Sequence, residues 1–296
     1  MGIDLGGTNL RAAGFDQRGQ AGDLLSVAVD RDAAADRPFA QVSRLVERLL
    51  EQRGGAPPRA IGLGATGPLD PVRGTIENPY TLPPAMQGPA RAVLTAAFGV
   101  PVVIANDADA AALGEAWLGA GRGARSVACL TVGTGIGAGV VYDGVVHSGA
   151  GEAHPEAGHQ VVDPSGPRCY CGAHGCVESL ASATAIVSRA RAAGIELGDA
   201  REFSAAVRAG DAACERIAAS ARSALVSAVR NLVAMHAVNV VVLAGNALGD
   251  PERVREAAQQ AVDDFPFTPA GGTCVRLAEL GDLAGCAGAA RLALTA

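Results

Sequence analysis

The sequence predicts an α/β fold built from two units of similar design. Short apolar runs rich in β-branched residues alternate with alanine-rich segments of helical spacing, a pattern typical of α/β proteins. A strand, a small glycine turn with threonine and a second strand occur twice, over 2–15 and 126–142. The chain has 296 residues, of which 49% are apolar, so it is long enough for two modest domains and apolar enough to fold.

In the first half, strands are predicted where apolar runs end in glycine turns, and helices where apolar residues recur every three or four positions. The strands are 2–5, 10–15, 24–29, 60–65 and 100–105, and the helices are 38–52, 89–98 and 107–119. Residues 66–88 are rich in proline and glycine, which predicts a long loop that is either functional or disordered.

In the second half, the same criteria predict strands at 126–132, 136–142 and 238–243. Helices are predicted at 177–193, 202–209, 211–236, 251–263 and 282–294. Residues 147–178 have no regular period. We expect an N-terminal α/β domain over 1–118, on which a helix at about 283–296 packs, and a C-terminal α/β domain over 119–282.

The composition excludes several classes of function. The chain contains no lysine, so mechanisms that need a Schiff base or a P-loop lysine are ruled out. The net charge of −6 and the few aromatic residues argue against a nucleic-acid partner. No apolar run is as long as a membrane helix and no cleavable leader opens the sequence, so we expect a cytoplasmic protein without a membrane partner.

The first candidate site is the turn after strand 2–5. Glycine at positions 6 and 7 lets a phosphate approach backbone N–H groups closely, and Thr8 adds a hydroxyl donor. Asp4 could hold Mg²⁺ through water. The alternative is an ordinary Gly-Gly hairpin.

The second candidate site is the turn Gly133-Thr134-Gly135. The Gly-x-Gly-x-Gly string over 133–137 resembles a dinucleotide fingerprint. A strand follows it instead of a helix, which argues against that interpretation. As a second phosphate-facing hairpin it matches the first turn, and the two turns could hold the phosphates of one nucleotide.

The third candidate is Asn106-Asp107, directly after strand 100–105. Ligands of open α/β sheets lie beyond the carboxyl ends of the strands, where an aspartate can accept the proton of a substrate hydroxyl. The alternative is that Asp107 only caps the next helix. Asp109 is a spare carboxylate that we expect to face elsewhere.

The fourth candidate is a metal site. Nine residues separate His159 from Cys169, one separates Cys169 from Cys171, and four separate Cys171 from Cys176. These four soft ligands fit a closed, structural zinc site that staples loop 154–178. Rival ligands are His154 and His174, and the alternative is a set of unligated thiols. Small core positions are predicted for the other cysteines, which are Cys129, Cys214, Cys274 and Cys286.

Together these strings resemble the ROK family of repressors, uncharacterised reading frames and sugar kinases. The resemblance runs nearly end to end, and its motifs occur in the family's order. They are 4–8, 106–107, 133–137, 156–159 and 169–178. The resemblance implies an actin-like ATPase (ribonuclease H-like) fold with two α/β domains around a cleft and a zinc-stapled loop in the second domain.

The resemblance also implies residue roles. Asp107 would be the catalytic base, and the sugar would be bound by Gly67, Asn106, Asp107, Glu156, His159 and Glu178. ATP and its phosphates would contact Asp4, Gly6, Gly7, Thr8, Asn9, Thr134, Gly135 and Gly245. His159 would also ligate zinc with Cys169, Cys171 and Cys176, so the metal would orient a residue that binds the sugar.

The sequence departs from the family pattern at a few positions. Asn9 stands where many relatives carry lysine, and Ala244-Gly245-Asn246 replaces the usual Gly-Gly near the adenosine. Pro155 precedes Glu156 where glycine is common. The string His154-Pro155-Glu156 resembles ROK fructokinases, whereas Cys169-Tyr170-Cys171-Gly172 also fits glucokinase-like members.

We therefore expect an ATP-dependent hexose kinase that uses Mg²⁺ and phosphorylates the 6-hydroxyl of glucose. Fructose, mannose and N-acetylhexosamines are the alternative substrates, and polyphosphate is an alternative donor. The rival classes are a sugar sensor without turnover and a ROK regulator, whose DNA-binding domain would precede the strand predicted at residue 2. The family resemblance implies a homodimer or homotetramer.

Overall fold

The structure, a computed structural model, describes residues 1–33, 35–247 and 249–295. These residues form two compact units. Unit 1 contains Met1–Gly123, Gly139–Pro155 and the segment from Glu279 onward, and unit 2 contains Ala124–Ala138 and Glu156–Ala278.

The strands follow the apolar runs closely. They are β1 (Gly2–Leu5), β2 (Asn9–Phe15), β3 (Ala21–Ala28), β4 (Ile61–Ala65), β5 (Leu69–Asp70), β6 (Thr75–Ile76), β7 (Val102–Asn106), β8 (Ser126–Val132), β9 (Ile136–Tyr142), β10 (Val145–Val146), β11 (Val240–Ala244) and β12 (Cys274–Leu277). The helices are α1 (Ala40–Gln52), α2 (Ala90–Phe98), α3 (Asp107–Trp117), α4 (Val177–Ala181), α5 (Ala183–Ala192), α6 (Ala200–Arg208), α7 (Ala212–His236), α8 (Pro251–Asp263) and α9 (Ala284–Thr295).

Two mixed five-stranded sheets confirm the predicted α/β class and the internal duplication. Their strand orders are β3-β2-β1-β4-β7 and β10-β9-β8-β11-β12. In the first sheet β1 pairs antiparallel with β2 and parallel with β4, which pairs parallel with β7. In the second sheet β11 pairs parallel with both β8 and β12. Each order therefore places a hairpin beside parallel strands, as the repeated strand–turn–strand pattern predicts.

The core of unit 1 depends on close backbone approach to α9. A Cβ atom at Gly62 of β4 would lie 1.7 Å from the carbonyl oxygen of Ala289, and one at Gly288 would lie 1.7 Å from that of Ala110. Only glycine leaves room at such distances. Helix α9 consequently lies directly on β4 on one side and on α3 on another.

Glu115 joins the end of α3 to the chain that enters α9. This side chain is fully buried, and its carboxylate accepts hydrogen bonds from the backbone N–H groups of Ala120 (2.8 Å), Glu279 (3.2 Å) and Leu280 (2.9 Å). Three donors offset the desolvation of one buried charge.

In unit 2 the long helix α7 packs on α8, α4 and α5. Its buried positions recur at helical spacing, and β11 is buried along Val240–Leu243. Small aliphatic side chains build this core, as the composition predicts.

Three local features differ from the sequence prediction. The helix predicted over 177–193 breaks at Ser182, whose extended backbone ends α4 and whose hydroxyl accepts a hydrogen bond from the N–H of Ala185 at 3.1 Å. The predicted loop 66–88 contains the hairpin β5–β6. Strand β12 was not predicted, because its alternating exposed residues form no apolar run.

The cysteines outside the predicted metal site fall into two groups. Cys129, Cys214 and Cys286 are buried, as predicted, but Cys274 is exposed on β12, so its assignment to the core was wrong.

In the part of the chain that the structure describes, no helix combines the length and the apolar character that crossing a membrane requires.

Candidate functional site

The carboxyl end of β7 carries the two polar residues that the sequence singled out. Asn106 caps α3, because its side-chain oxygen accepts hydrogen bonds from the N–H groups of Ala108 (2.8 Å) and Asp109 (3.4 Å). Asp107 is the first helical residue, so the alternative in which Asp107 is the cap is wrong. Its carboxylate Oδ1 accepts from the N–H of Ala108 at 2.9 Å.

The environment of Asp107 raises its proton affinity. Burial raises the pKa of Asp107, the hydrogen bond from Ala108 and the charge of His154 lower it, and the charge of Asp109 raises it. The net direction is upward. A carboxylate with a raised pKa at the carboxyl edge of a sheet is suited to accept a hydroxyl proton.

Asp109 is not the spare carboxylate that the sequence predicted. It is buried, and its Oδ2 lies 2.8 Å from Nδ1 of His154, which is also mostly buried. Both residues belong to unit 1. The sequence prediction treated each residue separately, because they are 45 positions apart (154 − 109) and no local pattern connects them.

Asp4 lies in the same electrostatic environment as Asp107. Burial and the charge of Asp107 raise the pKa of Asp4 to about 7, against the opposing effect of Arg11. Arg11 contacts Asp4 at 3.3 Å and Asp282 at 2.9 Å. The sequence prediction missed Arg11 as the partner of Asp4, although the antiparallel register of β1 and β2 places the two residues opposite each other.

The first predicted phosphate turn is a tight hairpin. The N–H of Gly6 donates to the carbonyl of Asn9 at 3.0 Å, and the carbonyl of Thr8 accepts from Val29 at 2.8 Å. A Cβ atom at Gly7 would lie 3.2 Å from Cβ of Thr81, so a larger residue would press on the neighbouring loop. The exposed guanidinium of Arg31 donates to the carbonyl of Gly7, a cation beside this turn that the sequence prediction missed.

A buried asparagine positions the turn at Gly67. The Nδ2 group of Asn78 donates to the carbonyl oxygens of Gly67 (2.6 Å) and Thr66 (3.3 Å). A Cβ atom at Gly67 would lie 3.5 Å from Nδ2 of Asn106, so this loop adjoins the end of β7. Asn78 was also missed, because one asparagine in a polar loop carries no pattern.

In unit 2, the second predicted phosphate turn lies against Glu178. The N–H of Ile136 donates to Oε2 of Glu178 at 2.7 Å. A Cβ atom at Gly135 would lie 2.7 Å from the same oxygen, so this carboxylate position requires glycine. The carbonyl of Thr134 accepts from the hydroxyl of Thr184 at 2.9 Å.

Gly245 follows β11 with a φ of 102°, which favours glycine. A Cβ atom there would lie 2.1 Å from the carbonyl oxygen of Val132, so the turn after β11 passes directly over the end of β8. Gly245 and the 133–135 turn therefore adjoin each other in unit 2.

The predicted metal ligands form one cluster. One ligand atom from each of His159, Cys169, Cys171 and Cys176 lies within 4.8 Å of the others. The Sγ atoms of Cys171 and Cys176 are 3.6 Å apart, and Sγ of Cys169 is 3.5 Å from Nδ1 of His159. Tetrahedral zinc with Zn–S bonds of about 2.3 Å places two sulfurs about 3.8 Å apart, so the cluster fits zinc.

The rival histidines lie elsewhere. His154 is paired with Asp109 in unit 1, and Nδ1 of His174 lies 3.4 Å from the carbonyl of Gly166.

Burial raises the pKa of Cys176 to about 12, whereas the hydrogen bond from the N–H of Ala173 lowers the pKa of Cys171. A bound cation would favour the thiolate of Cys176 and offset the desolvation of its charge.

Tyr170 connects the metal cluster to two acidic residues. Its ring meets the ring of His159 edge-on, with centroids 5.0 Å apart. Burial raises the pKa of its hydroxyl, and the carboxylates of Glu178 and Glu156 raise it further. Tyr170, which no motif indicated, is therefore close to Glu156, His159 and Glu178, the three residues that the family resemblance brings together, although 79% of it is exposed.

A family model described as the ROK family matches the whole chain, residues 1–296. The chain belongs to the ROK family. Its sequence is 38% identical over 187 residues to a glucokinase of Thermotoga maritima, a match that covers 63% of this chain. The matched region spans 58% of the length of that glucokinase.

Two solved ROK structures share the fold over nearly the whole chain. A ROK hexokinase from Thermus thermophilus has a TM-score of 0.87 and 35% identity, with 99% of this chain and 97% of that chain covered. A ROK family glucokinase from Streptomyces griseus, in complex with glucose and AMPPNP, has a TM-score of 0.77 and 28% identity, with 100% and 99% covered.

Proposed function

We propose that this chain is an ATP-dependent hexose kinase that phosphorylates the 6-hydroxyl of glucose. Membership of the ROK family and the likeness to a glucokinase in complex with glucose and AMPPNP support this proposal. The observation that carries it is Asp107, a half-buried carboxylate of raised pKa at the carboxyl end of β7. Its position and proton affinity suit a general base for a sugar hydroxyl.

The proposed sugar ligands follow from the residues that match the family motifs. In unit 1 they are Gly67, Asn106 and Asp107; in unit 2 they are Glu156, His159 and Glu178. Carboxylates and an imidazole hold hydroxyl groups through charge-assisted hydrogen bonds. The hydrogen bond from Ile136 fixes one oxygen of Glu178, which supports a precise orientation for that ligand.

The proposed nucleotide ligands are the small turns. In unit 1 the turn Gly6-Gly7-Thr8 with Asn9 offers backbone and side-chain donors to phosphate, and in unit 2 Thr134 and Gly135 offer a second set. Gly245 adjoins the second set and would lie against the nucleoside. In this chain, which has no lysine, backbone N–H groups and arginine supply the positive potential for phosphate.

Magnesium is part of the same proposal. Asp4 and Asp107 carry charges that raise each other's proton affinity, and hard carboxylate oxygens are the ligands that Mg²⁺ takes. Asp4 would hold the ion through water. When bound, the ion neutralises charge on the phosphates during transfer.

Zinc would act structurally. The four ligand atoms leave no open coordination position, so the ion would fix loop residues and the ring of His159 rather than polarise substrate. The proposal also includes a homodimer or homotetramer, as the family resemblance implies. Light scattering would measure the mass of the assembly.

The chemistry required of this chain is mainly positioning. Asp107 accepts the proton of the attacking hydroxyl while the turns hold the donor phosphates in line with it. Because phosphoryl transfer involves little covalent chemistry by the protein, orientation and electrostatic stabilisation supply most of the acceleration.

The test is sugar-dependent ADP release by wild type and Asp107→Asn over a panel of glucose, fructose, mannose and N-acetylmannosamine. We expect glucose-dependent turnover in wild type and a loss of at least about 10²-fold in the variant, with sugar affinity changed only a few-fold. Asp23→Asn, an exposed change on β3, is the matched control and should retain full activity. Sugar binding without any turnover in wild type would instead support a sensor.

A further inference from the structure

Three carboxylates share the region around the amino end of α3. Asp4, Asp107 and Asp109 all belong to unit 1; the charge of Asp107 acts on Asp4, and the charge of Asp109 acts on Asp107. Each flanking carboxylate has a cation partner: Arg11 contacts Asp4 at 3.3 Å, and His154 contacts Asp109 at 2.8 Å. The flanking charges are thereby compensated, whereas Asp107 must change its protonation state during a reaction.

We propose that His154 and Asp109 form a positioning pair in which the imidazolium compensates the buried carboxylate, so that Asp109 does not suppress ionisation of the general base Asp107. The inference rests on the proposed function, because it assigns Asp107 as the base. Neither residue of the pair touches the reacting atoms in this assignment. They act through the charge that they place beside Asp107.

The first argument is burial. The side chains of His154 and Asp109 are 11% and 8% exposed, so their interaction is weakly screened. Within the described part of the chain, the second oxygen of Asp109 has no hydrogen-bond partner, so this buried carboxylate depends on His154 for compensation. A carboxylate at 2.8 Å favours the imidazolium form of a histidine.

The second argument is the effect on Asp107. The charge of His154 lowers the pKa of Asp107, which burial otherwise raises, and the charge of Asp109 raises it. The two charges of the pair therefore act on Asp107 in opposite directions, and the charge of His154 has the larger effect. Loss of the imidazolium alone would leave an uncompensated carboxylate two residues from the base.

The other charged groups around this region do not replace His154. Arg11 on β2 is shared between Asp4 and Asp282. From α9, Cys286 is buried against Asp4, and burial keeps this thiol neutral by raising its pKa. Glu115, at the far end of α3, is engaged with three backbone N–H groups.

The experiment compares the pH dependence of kcat in zinc-loaded wild type, His154→Gln and the double variant His154→Gln with Asp109→Asn. Because Asp107 must be deprotonated to act, His154→Gln should move the acidic limb of kcat upward by about one pH unit. The double variant removes both charges and should return the limb toward the wild-type position. If the pair had only a structural role, His154→Gln would lower kcat at every pH, and the added Asp109→Asn would lower it further.

A measurement that does not use activity separates this inference from the proposed function. The carboxyl group of Asp107 is titrated by ¹³C NMR in protein labelled with ¹³C-aspartate, with Asp107→Asn for assignment. His154→Gln should raise its titration midpoint, and the double variant should restore it. An unchanged midpoint in His154→Gln overturns the inference even if Asp107→Asn abolishes turnover. Full activity of Asp107→Asn would instead remove the base assignment.

Zinc content is the remaining control. His154 was a rival metal ligand by sequence, and it lies in unit 1 beside Asp109. His154→Gln should retain the same zinc per chain as wild type, whereas His159→Gln should lose it. A loss of zinc in His154→Gln would overturn the pairing with Asp109 as the role of this histidine.

Discussion

The substitution Gly135→Ala tests the link between the second turn and Glu178. The added Cβ atom would lie 2.7 Å from Oε2 of Glu178, whereas ordinary contact begins at 3.4 Å. The carboxylate must therefore shift by about 0.7 Å, the difference of these two distances. The clashing atom is the end of a flexible side chain, so we expect little loss of fold stability.

The effect on binding follows from the hydrogen bond that is lost. The 2.7 Å contact from the N–H of Ile136 would lengthen to as much as about 3.4 Å, outside the range of about 2.7–3.2 Å in which such hydrogen bonds are strong. A hydrogen bond to a charged group contributes about 1.5–3 kcal/mol. If Glu178 holds a sugar hydroxyl, its displacement should lower kcat/KM for sugar by roughly 10- to 150-fold, at about 1.4 kcal/mol per factor of ten.

The assay is steady-state ADP release with the sugar varied at saturating ATP, together with urea unfolding. The matched control is Gly133→Ala, where the nearest atom to a Cβ is 4.0 Å away, and its KM for sugar should stay within about twofold of wild type. Wild-type kcat/KM for sugar in Gly135→Ala, with an unchanged fold, would refute the assignment of Glu178 as a sugar ligand.

Three further predictions concern stability. Because burial raises the pKa of Asp4 to about 7 in the folded state, unfolding free energy should fall by up to about 1.4 kcal/mol per unit as pH rises from 4 to 7. Urea unfolding of Asp4→Asn should show a flatter dependence over that window; an equal slope contradicts the assignment. Cys176→Ser should lower the zinc content and the Tm, and hydrogen exchange should show lost protection confined to 159–178; full protection without metal would contradict the structural role of zinc. Gly288→Ala, whose Cβ would lie 1.7 Å from a backbone oxygen of α3, should destabilise by at least about 3 kcal/mol or prevent folding, and a wild-type urea midpoint would contradict the close packing of α9.

Much of the fold could be predicted because the local signals agree with the tertiary structure. Strand 126–132 was predicted at its observed bounds, and the helix predicted over 211–236 is observed as Ala212–His236. Long apolar periods and capping residues such as Asp211 specify these elements locally. The repeated turn also predicted two units of similar design, and the two sheets do share one strand order.

The failures have a common physical cause. Ser182 can lie inside a helix or cap a new one, and only the hydrogen bond to Ala185 decides between these states. Strand β12 forms because β11 offers it a parallel partner, although its own sequence is weakly apolar. In both cases the local sequence allows two states, and a contact made in the folded chain decides between them.

The candidate site shows the same division. Spacing alone located the metal cluster, because its four residues lie within 18 positions (176 − 159 + 1). The pair of Asp109 and His154 could not be predicted, because its residues are distant in sequence and a lone buried histidine has no pattern. Tyr170 was overlooked for the opposite reason, since its cysteine neighbours accounted for the whole string.

The packing of α9 has a consequence for how the protein is made. Unit 1 contains the first strands of the chain, but β4 and α3 present glycine positions against which α9 packs. A ribosome synthesises Ala284–Thr295 after the other elements of unit 1, so these strands wait for α9 before their core is complete. Domains usually fold in the order of synthesis. In this chain unit 2 can finish first, and premature termination before α9 should leave a nascent polypeptide dependent on chaperones.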